Sequence, residues 1–462
     1  GAWVSNHGIP GLDPVRVGGR APGYVAGAFA AAAALTAHRT AQATGEPVVV
    51  DLSVQACLVG TLPYPMLFQF TLNRMGGQQF GERRYVVPGI VPCADGWVGI
   101  NCLTGQHWLD LCALLDLPQW EDRQREVIED SAYADFLADA RVWLDDQTAE
   151  DVVTICQALR IPAAPIGDGV NLPTLSQFAE RGFYAPLPGT DVLAPVAPYR
   201  LSATPAAPGS PPTSGTLPTA VAPAERSSGS APSSPTNRPA GSPGTASSPP
   251  ATGPGDPAAT AVRPFEGLRV VDLSIFWSAP YLTMYLADLG ADVVKVESVQ
   301  RPDGFRYSAS FPELGADWYE QSLVWQSTNL SKKDITLDLT RPEGQDLLWR
   351  LLDGADVLVE NFSPRVVESF GLTEAALRER FPRLVNVRMP GFGLVGPWRD
   401  HVGWALVYEQ ACGLAQVTGF PDGPPLNPGG FADPVVGMHA AVAVQAALAH
   451  RDRTGEGQLV EV

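Results

Sequence analysis

The amino-acid sequence predicts an α/β protein, with an open parallel sheet of Rossmann type in a large domain and a smaller α+β domain beside it. Three observations support this prediction. Strand-like and helix-like segments alternate through residues 263–462, a stretch rich in Pro, Ser, Gly, Ala and Thr divides the 462-residue chain, and sequence near the beginning is repeated near the end. Alternating strands and helices are typical of parallel α/β sheets.

Residues 263–462 contain short runs rich in β-branched residues, which are typical of buried strands. These runs are LRVVDLS (268–274), ADVVKVE (291–297), ITLDL (335–339), DVLVEN (356–361) and LVNVRM (384–389). Helices are predicted between them at 281–290, 342–352 and 373–381. The turn after LRVVDLS does not read GxGxxG, which argues against a nicotinamide dehydrogenase despite the predicted fold.

Residues 1–204 also mix strands and helices. The apolar run PVVVDLSV (47–54) predicts a buried strand, and GWVGINC (96–102) predicts another. Apolar spacing predicts helices at 23–39, 106–115, 131–145 and 148–159.

The segment 205–262 almost lacks large apolar residues. Such a composition cannot form a core, so we predict a disordered Pro/Ser/Gly/Ala linker. It separates residues 1–204, called the first unit below, from residues 263–462, called the second unit.

An internal repeat relates the two units. ALTAHRTAQATGEPVVVDLS (34–53) is similar to AALAHRDRTGEGQLVEV (446–462). Repeats this far apart indicate two copies of one large domain rather than a solenoid. We therefore expect a segment of a longer protein, in which the first unit is the back half of one copy and the second unit the front half of the next.

Composition excludes several functions. The formal net charge of −18 argues against a nucleic-acid partner, because phosphate backbones require a basic surface. The six cysteines show no CxxC pair, so neither a zinc site nor a disulfide framework is indicated, and the thiols fit a reducing, cytoplasmic compartment. The most apolar runs are too short to cross a membrane and predict buried helices.

One carboxylate stands out in NPGGFADPVVGMHAAVAVQAALAHR (427–451). A glycine-rich turn leads to Asp433, and Pro434 then opens a long apolar helix. An ordinary helix start explains this pair, since Asp is a good N-cap and Pro suits the first helical position. The same position would also keep a reactive carboxylate ionised, because a helix N-terminus favours negative charge.

The second unit resembles the amino-terminal part of the class III coenzyme A transferases, the CaiB/BaiF group. The motifs occur in the family's order: VVDLSIFWSAPYLTMYLADLGADVVKVE (270–297), Asp303–Arg306, NLSKKDITLDLTRPEG (329–344), ADVLVENFSP (355–364), GFGLVGP (391–397) and the Asp433 stretch. The first unit resembles the later part of the family through RMGGQQFGERR (74–84), PCADGWVGIN (92–101) and LRIPAAPIGD (159–168).

The resemblance implies an intertwined dimer in which each subunit has a large Rossmann-like domain and a small domain. A tandem fusion would supply both halves of such a pair from one chain, and further homo-oligomerisation remains open. Residues 1–54 would then belong to a large domain and about 85–165 to a small one. Acyl-CoA and a carboxylic acid would be the substrates, with no permanently bound cofactor.

The resemblance also assigns roles to residues. Asp433 falls at the position of the nucleophile that forms a mixed anhydride and then an aspartyl thioester. Glu409 aligns with a carboxylate that forms hydrogen bonds near it. The residues implied to lie along the coenzyme are Trp277, Ser278, Ala279 and Asn361.

Several assignments have alternatives. Gly429 and Gly430 could donate to an oxyanion, and Gly76 and Gly77 resemble the family's glycine loop over the active site but could form an ordinary loop. Lys332, Lys333 and Arg301 could bind the phosphates of coenzyme A or could be solvated surface charges.

Departures from the family pattern define the competing functions. An acyl-CoA racemase would need a Gly-His-Asp motif, and the corresponding stretch here is Gly403-Trp404-Ala405. Ala21 or Gly23 stands where the first unit would carry its carboxylate, so we predict a single live site and keep a non-catalytic CoA-binding protein as a third possibility.

Overall fold

The computed structural model describes residues 15–61, 86–129, 131–206, 263–308 and 310–462. Gly76 and Gly77, and the predicted linker apart from its first two residues, lie outside the described residues. All statements below refer to the described part of the chain.

The first unit begins with a long helix and ends in a short strand. After α1 (Ala21–Thr44) and α2 (Val54–Gly60), an antiparallel sheet in the order β1-β2-β3 packs against four helices around Trp108 and Phe136. The predicted helices and the predicted strand 96–102 are confirmed. The elements are β1 (Val87–Cys93), β2 (Gly96–Cys102), α3 (Gly105–Leu114), α4 (Gln124–Ile128), α5 (Tyr133–Leu144), α6 (Ala149–Ala158), β3 (Ala163–Pro165), α7 (Ser176–Glu180), β4 (Tyr184–Pro186), β5 (Leu193–Pro195) and β6 (Arg200–Leu201).

The predicted buried strand at 47–54 is wrong. Residues 47–53 are not in a strand, Val49 is 92% exposed, and Ser53 caps α2 by accepting a hydrogen bond from the N–H of Ala56. A strand needs a neighbour to pair with its backbone groups. No described strand lies beside 47–53, whereas the related segment at Leu459–Glu461 pairs on both sides.

The second unit forms the main sheet, whose strand order is β6-β12-β11-β10-β7-β8-β9. All neighbours are parallel except β6, which comes from the first unit and pairs antiparallel with β12. The protein is thus α/β, as predicted, but the antiparallel β6 makes the sheet mixed rather than wholly parallel. The elements are β7 (Arg269–Asp272), α8 (Ser278–Asp288), β8 (Asp292–Glu297), α9 (Leu323–Asn329), β9 (Lys333–Thr336), α10 (Pro342–Leu352), β10 (Val357–Glu360), α11 (Pro364–Ser369), α12 (Glu374–Arg380), β11 (Val385–Arg388), α13 (Ala405–Ala411), α14 (Ala432–Thr454) and β12 (Leu459–Glu461).

Counted from β7, the six strands of the second unit have the order 3-2-1-4-5-6. This is the order of doubly wound dinucleotide-binding folds, in which ligands bind at the carboxyl ends of the strands where the winding reverses. Here the reversal lies between β7 and β10. The turn after β7 and the residue after β10 are therefore the first places to look for a site.

Helix α14 is surrounded by protein. It packs against α8 of the second unit and α1 of the first, and Thr36 on α1 donates a hydrogen bond to Gln445 on α14. By length and composition α14 could cross a membrane, but its buried residues lie in the central hydrophobic cluster, as in a core helix.

A buried ionic cluster fixes the loop after β8. Arg306 is contacted by Glu297, Glu320 and Asp334, and its guanidinium lies 3.8 Å from the ring centroid of Trp325. Its side chain is 9% exposed. Of its partners Glu297 is buried, with 5% of its side chain exposed, and it needs the compensating charge most; Asp334 and Glu320 are more exposed.

Replacing Arg306 with Met should therefore lower the free energy of unfolding by about 3–5 kcal/mol, since the carboxylates would lose their buried cation. Urea denaturation followed by tryptophan fluorescence measures this loss. Arg378→Met is the control: Arg378 pairs with Glu374 on an exposed helix surface, so the change should stay below about 0.5 kcal/mol. Equal losses in the two variants would contradict the cluster's role.

Candidate active site

The candidate site lies where the N-termini of α8 and α14 meet at the carboxyl ends of β7 and β10. Gly437 on α14 makes this meeting possible, because a Cβ at that position would lie 2.7 Å from the carbonyl oxygen of Ser278 and 3.2 Å from the Cβ of Tyr281. A larger residue would push the first turn of α8 away from α14. The glycine thus places Ser278 beside the first turn of α14, which holds Asp433.

Asp433 is in the first turn of α14 and is partly accessible to solvent. It is not the N-cap, a position occupied by Phe431, so the ordinary helix-cap explanation is wrong. Instead, the hydroxyl and N–H of Ser278 and the N–H of Ala405 favour the ionised form of its carboxylate and act to lower its pKa. Desolvation outweighs their effect and raises the pKa of Asp433 to about 6.

Glu409 provides a second carboxylate at the same helix end. It is 1% exposed and accepts hydrogen bonds from the N–H groups of Gly430 (3.1 Å), Phe431 (2.9 Å) and Ala432 (3.3 Å). Burial and the charge of Asp433 raise its pKa to about 8, although the three N–H groups act in the opposite direction. Glu409 therefore satisfies the backbone donors that the start of α14 leaves open.

The hydrogen bonds of Glu409 correct the prediction that Gly430 donates to an oxyanion. The N–H of Gly430 points at Glu409, so it is not available to an oxyanion. Gly429 and Gly430 serve the turn itself, with φ of 113° and 79°, in the left-handed region that favours glycine.

The turn after β7 contains Trp277, Ser278 and Ala279, which were predicted to lie along the coenzyme. Trp277 and Ala279 are buried, and Ser278 begins α8. Phe276 has φ of 64°, an uncommon conformation for a residue other than glycine, and both carboxylate oxygens of Asp303 accept its N–H at 3.1 Å. Its ring fits over Gly304, where a Cβ would lie 2.5 Å away.

Asn361 joins the two strands at the reversal point. Its side chain accepts from the N–H of Ile275 at 2.9 Å and donates to the carbonyl of the same residue at 2.7 Å. This bidentate contact holds the turn after β7 beside the end of β10.

Lys332 is placed differently from the prediction. It is 1% exposed, and its ammonium donates to Asp272 (3.0 Å), the carbonyl of Pro280 (3.0 Å) and Asn329 (2.9 Å). These contacts occupy all three donors of the ammonium, which argues against a phosphate contact. Burial lowers its pKa to about 8.

The other two basic candidates, Lys333 and Arg301, lie at opposite edges of the sheet. Lys333 pairs with Asp292 at the amino ends of β9 and β8, the opposite edge of the sheet from the site. That position argues against a phosphate contact there. Arg301 is exposed in the loop after β8, at the same edge as the site, and remains a candidate.

Sequence reasoning missed Tyr408 and Gln410, which flank Glu409 on α13. The ring of Tyr408 lies against Gly391 and Gly403, and burial and Asp433 raise the pKa of its hydroxyl. Gly391 and Gly403 were the feature of the sequence from which this packing of Tyr408 could have been predicted.

Within the described residues no group of three or more His, Cys, Asp or Glu side chains could hold a metal ion.

The fold and this site define a doubly wound α/β protein with two buried or partly buried carboxylates at one helix N-terminus. Comparison with known families gives a match to CoA-transferase family III over residues 1–216 and 265–462. The chain therefore belongs to CoA-transferase family III.

The chain spans about half the length of the individual relatives that it matches. The chain is 38% identical over 202 residues to a succinyl-CoA–D-citramalate CoA-transferase of Chloroflexus aurantiacus, covering 43% of this chain and 49% of that protein. It is 36% identical over 201 residues to a succinate–glutarate CoA-transferase of Agrobacterium fabrum, covering 43% and 50%. A crystal structure of a CaiB/BaiF family protein from Brucella suis matches with 33% identity and a TM-score of 0.39, covering 43% and 52%.

The raised pKa of Glu409 leads to a stability prediction. At pH values between 4.5, the usual pKa of a glutamate, and about 8, the folded protein keeps a proton on Glu409 that the unfolded chain releases. The free energy of unfolding therefore falls as the pH rises through this interval. Glu409→Gln removes this titration, and its free energy of unfolding should fall less steeply, by up to about 1.4 kcal/mol per pH unit.

Urea denaturation at several pH values across that interval measures the two slopes. The exposed Glu313→Gln is the control and should keep the wild-type slope. Parallel curves for wild type and Glu409→Gln would show that Glu409 does not hold the proton.

Proposed function

We propose that this protein transfers coenzyme A from an acyl-CoA donor to a carboxylic acid acceptor, with Asp433 as the nucleophile. The observation that carries the proposal is the environment of this carboxylate: Asp433 is a partly exposed residue, Ser278 and Ala405 favour its ionised form, and its raised pKa makes it a stronger nucleophile than an ordinary aspartate while leaving it mostly ionised at pH 7. The relatives named above are transferases of small dicarboxylates, which favours succinyl-CoA as the first donor to test.

The proposed reaction balances through four displacements. A carboxylate oxygen of Asp433 attacks the thioester carbonyl, the C–S bond breaks, and CoA thiolate leaves a mixed anhydride on the protein. The thiolate then attacks the aspartyl carbonyl, which releases the donor acid and gives an aspartyl thioester. The acceptor carboxylate displaces the thiolate to form a second anhydride, and the thiolate attacks its acyl carbonyl to release the new acyl-CoA and regenerate Asp433.

The structure suggests where oxyanion stabilisation comes from. Since Glu409 occupies the N–H groups of the α14 turn, the donors that remain next to the reacting carboxyl are those of Ser278 and Ala405. When thiolate attacks the aspartyl carbonyl, these donors would face the developing negative charge. Ser278 and Ala405 thus replace Gly429 and Gly430 in the proposed mechanism.

The coenzyme would lie along the turn held by Asn361, with the N-terminus of α8 and exposed Arg301 near its phosphates. We propose no permanently bound cofactor. The pairing of the two units in an intertwined arrangement, the domain boundaries given above and a cytoplasmic location belong to the same proposal.

The direct test is covalent trapping. Wild-type protein incubated with succinyl-CoA and quenched should carry an adduct of acyl or CoA mass on the peptide that contains Asp433, and hydroxylamine should convert it to a hydroxamate. Asp433→Asn should form no adduct and should transfer CoA at least about a thousandfold more slowly, because no other group replaces the nucleophile. Intact-protein and peptide mass spectrometry measure both results.

The matched control is Asp422→Asn, an exposed aspartate in the loop before the α14 turn, which should form the adduct normally. If the wild type binds CoA but gives no adduct with any of a panel of acyl-CoA thioesters, the transferase proposal fails and a non-catalytic CoA-binding protein is favoured.

The pKa of Asp433 predicts the pH dependence of transfer. Only the ionised carboxylate attacks, so kcat/KM should fall as the pH drops through about 6. Ser278→Ala removes a hydrogen bond that favours ionisation, so the acid limb should move to higher pH by up to about one unit. The exposed Ser369→Ala should leave the limb unchanged, and an unmoved limb in Ser278→Ala would remove Ser278 from the site.

A further inference from the structure

A buried pair of amides joins the two units next to the candidate site. Asn101 on β2 of the first unit and Gln410 on α13 of the second are both fully buried. Asn101 donates to Gln410 at 2.9 Å, and Gln410 donates back to Asn101 at 3.1 Å. A reciprocal amide pair without solvent fixes distance and orientation, because a shift of either partner leaves a buried polar group without its hydrogen bond.

The backbones approach closely at this point because glycines leave space. A Cβ on Gly99 would lie 1.9 Å from the side-chain oxygen of Gln410, and a Cβ on Gly167 would lie 2.3 Å from the carbonyl oxygen of Ala411. The N–H of Gly167 also donates to the carbonyl of Gln410 at 2.9 Å. Helix α13 is thus seated directly on β2 and the residues after β3.

From Gln410 the contacts continue to the turn that holds Asp433. The same side-chain nitrogen donates to Asn427 at 2.9 Å, at the start of the glycine-rich turn. The neighbouring residue, Glu409, binds the N–H groups of Gly430, Phe431 and Ala432 at the end of that turn. One short helix therefore holds both ends of the turn, and Asn101 holds that helix.

We propose that Asn101 of the first unit is a positioning residue for Asp433 of the second. The inference rests on the proposed transferase function and adds a role for the first unit, in which Ala21 or Gly23 is expected at the position of its own carboxylate. Asn101 touches no reacting atom. It acts through Gln410, so its loss should disturb the alignment of the nucleophile more than the binding of the coenzyme, whose proposed turn is held by a separate contact between Asn361 and Ile275.

The test compares two variants that break the same link from opposite sides. Asn101→Leu keeps the volume and removes the amide. Gly99→Ala keeps Asn101 and displaces the side chain of Gln410. Each should lower kcat for transfer from succinyl-CoA about tenfold and slow single-turnover formation of the Asp433 adduct equally, while KM for succinyl-CoA changes less than about twofold.

Gln177→Leu is the matched control. Gln177 is also a buried amide that joins the two units, through the carbonyls of Phe392 and Val395 and the N–H of Trp398, but it does not reach the turn. It should lower the thermal midpoint as much as Asn101→Leu does and leave kcat near the wild-type value.

The outcomes are distinguishable. Wild-type kcat in both folded variants would overturn the inference, and so would an equal fall of kcat in Gln177→Leu, since that result would indicate general loosening of the two units. If either Asn101→Leu or Gly99→Ala does not fold, the kcat of the other variant still tests the positioning role of Asn101. If the wild-type protein forms no adduct, the proposed function itself is refuted. If Asn101→Leu forms the adduct at the wild-type rate, only the positioning role of Asn101 is refuted.

Discussion

Two carboxylates share the N-terminal turn of α14, and the structure around the site accommodates their mutual repulsion. Their different surroundings separate their roles. Glu409 is enclosed and takes the free N–H groups of the turn, whereas Asp433 keeps access to solvent and takes its donors from other elements, Ser278 and Ala405. A pair of acids whose environments differ in this way is typical of sites where one acid reacts and the other supports it.

A buried charge network beside the turn after β7 has a comparable supporting role. Asp272 accepts hydrogen bonds from Ser274, Thr283 and Lys332, and Lys295 donates to the carbonyl of Ser274 at 2.7 Å. Asp303 then holds Phe276 in its left-handed conformation. The charges compensate one another in the interior, so the turn can keep a strained backbone without water to support it.

The sequence was sufficient to predict β7, β8, β10 and β11, because each is rich in β-branched residues and their alternation with helices has few solutions. The predicted strand 335–339 is shifted, since β9 spans Lys333–Thr336 and is exposed. The glycine turn and the proline beside Asp433 predicted a helix start there, and α14 does begin at Ala432, although Asp433 is not its N-cap. The sequence could not predict that 47–53 stays exposed, since strand formation depends on a partner elsewhere. Nor could it place Lys332 or Gly430, because the partner that engages each one, Asp272 or Glu409, is distant in sequence and adjacent only in the fold.

The long helix α14 ties the first unit to the second. Eleven of the 23 residues of α14 are buried, and its apolar surface packs against α1 of the first unit as well as α8. The same unit adds β6 to the edge of the main sheet, and its Arg181 pairs with Glu461 on β12. Helix α1 and the small sheet of the first unit therefore pack directly against the elements that carry the Asp433 turn, α14 through α1 and α13 through β2 and β3.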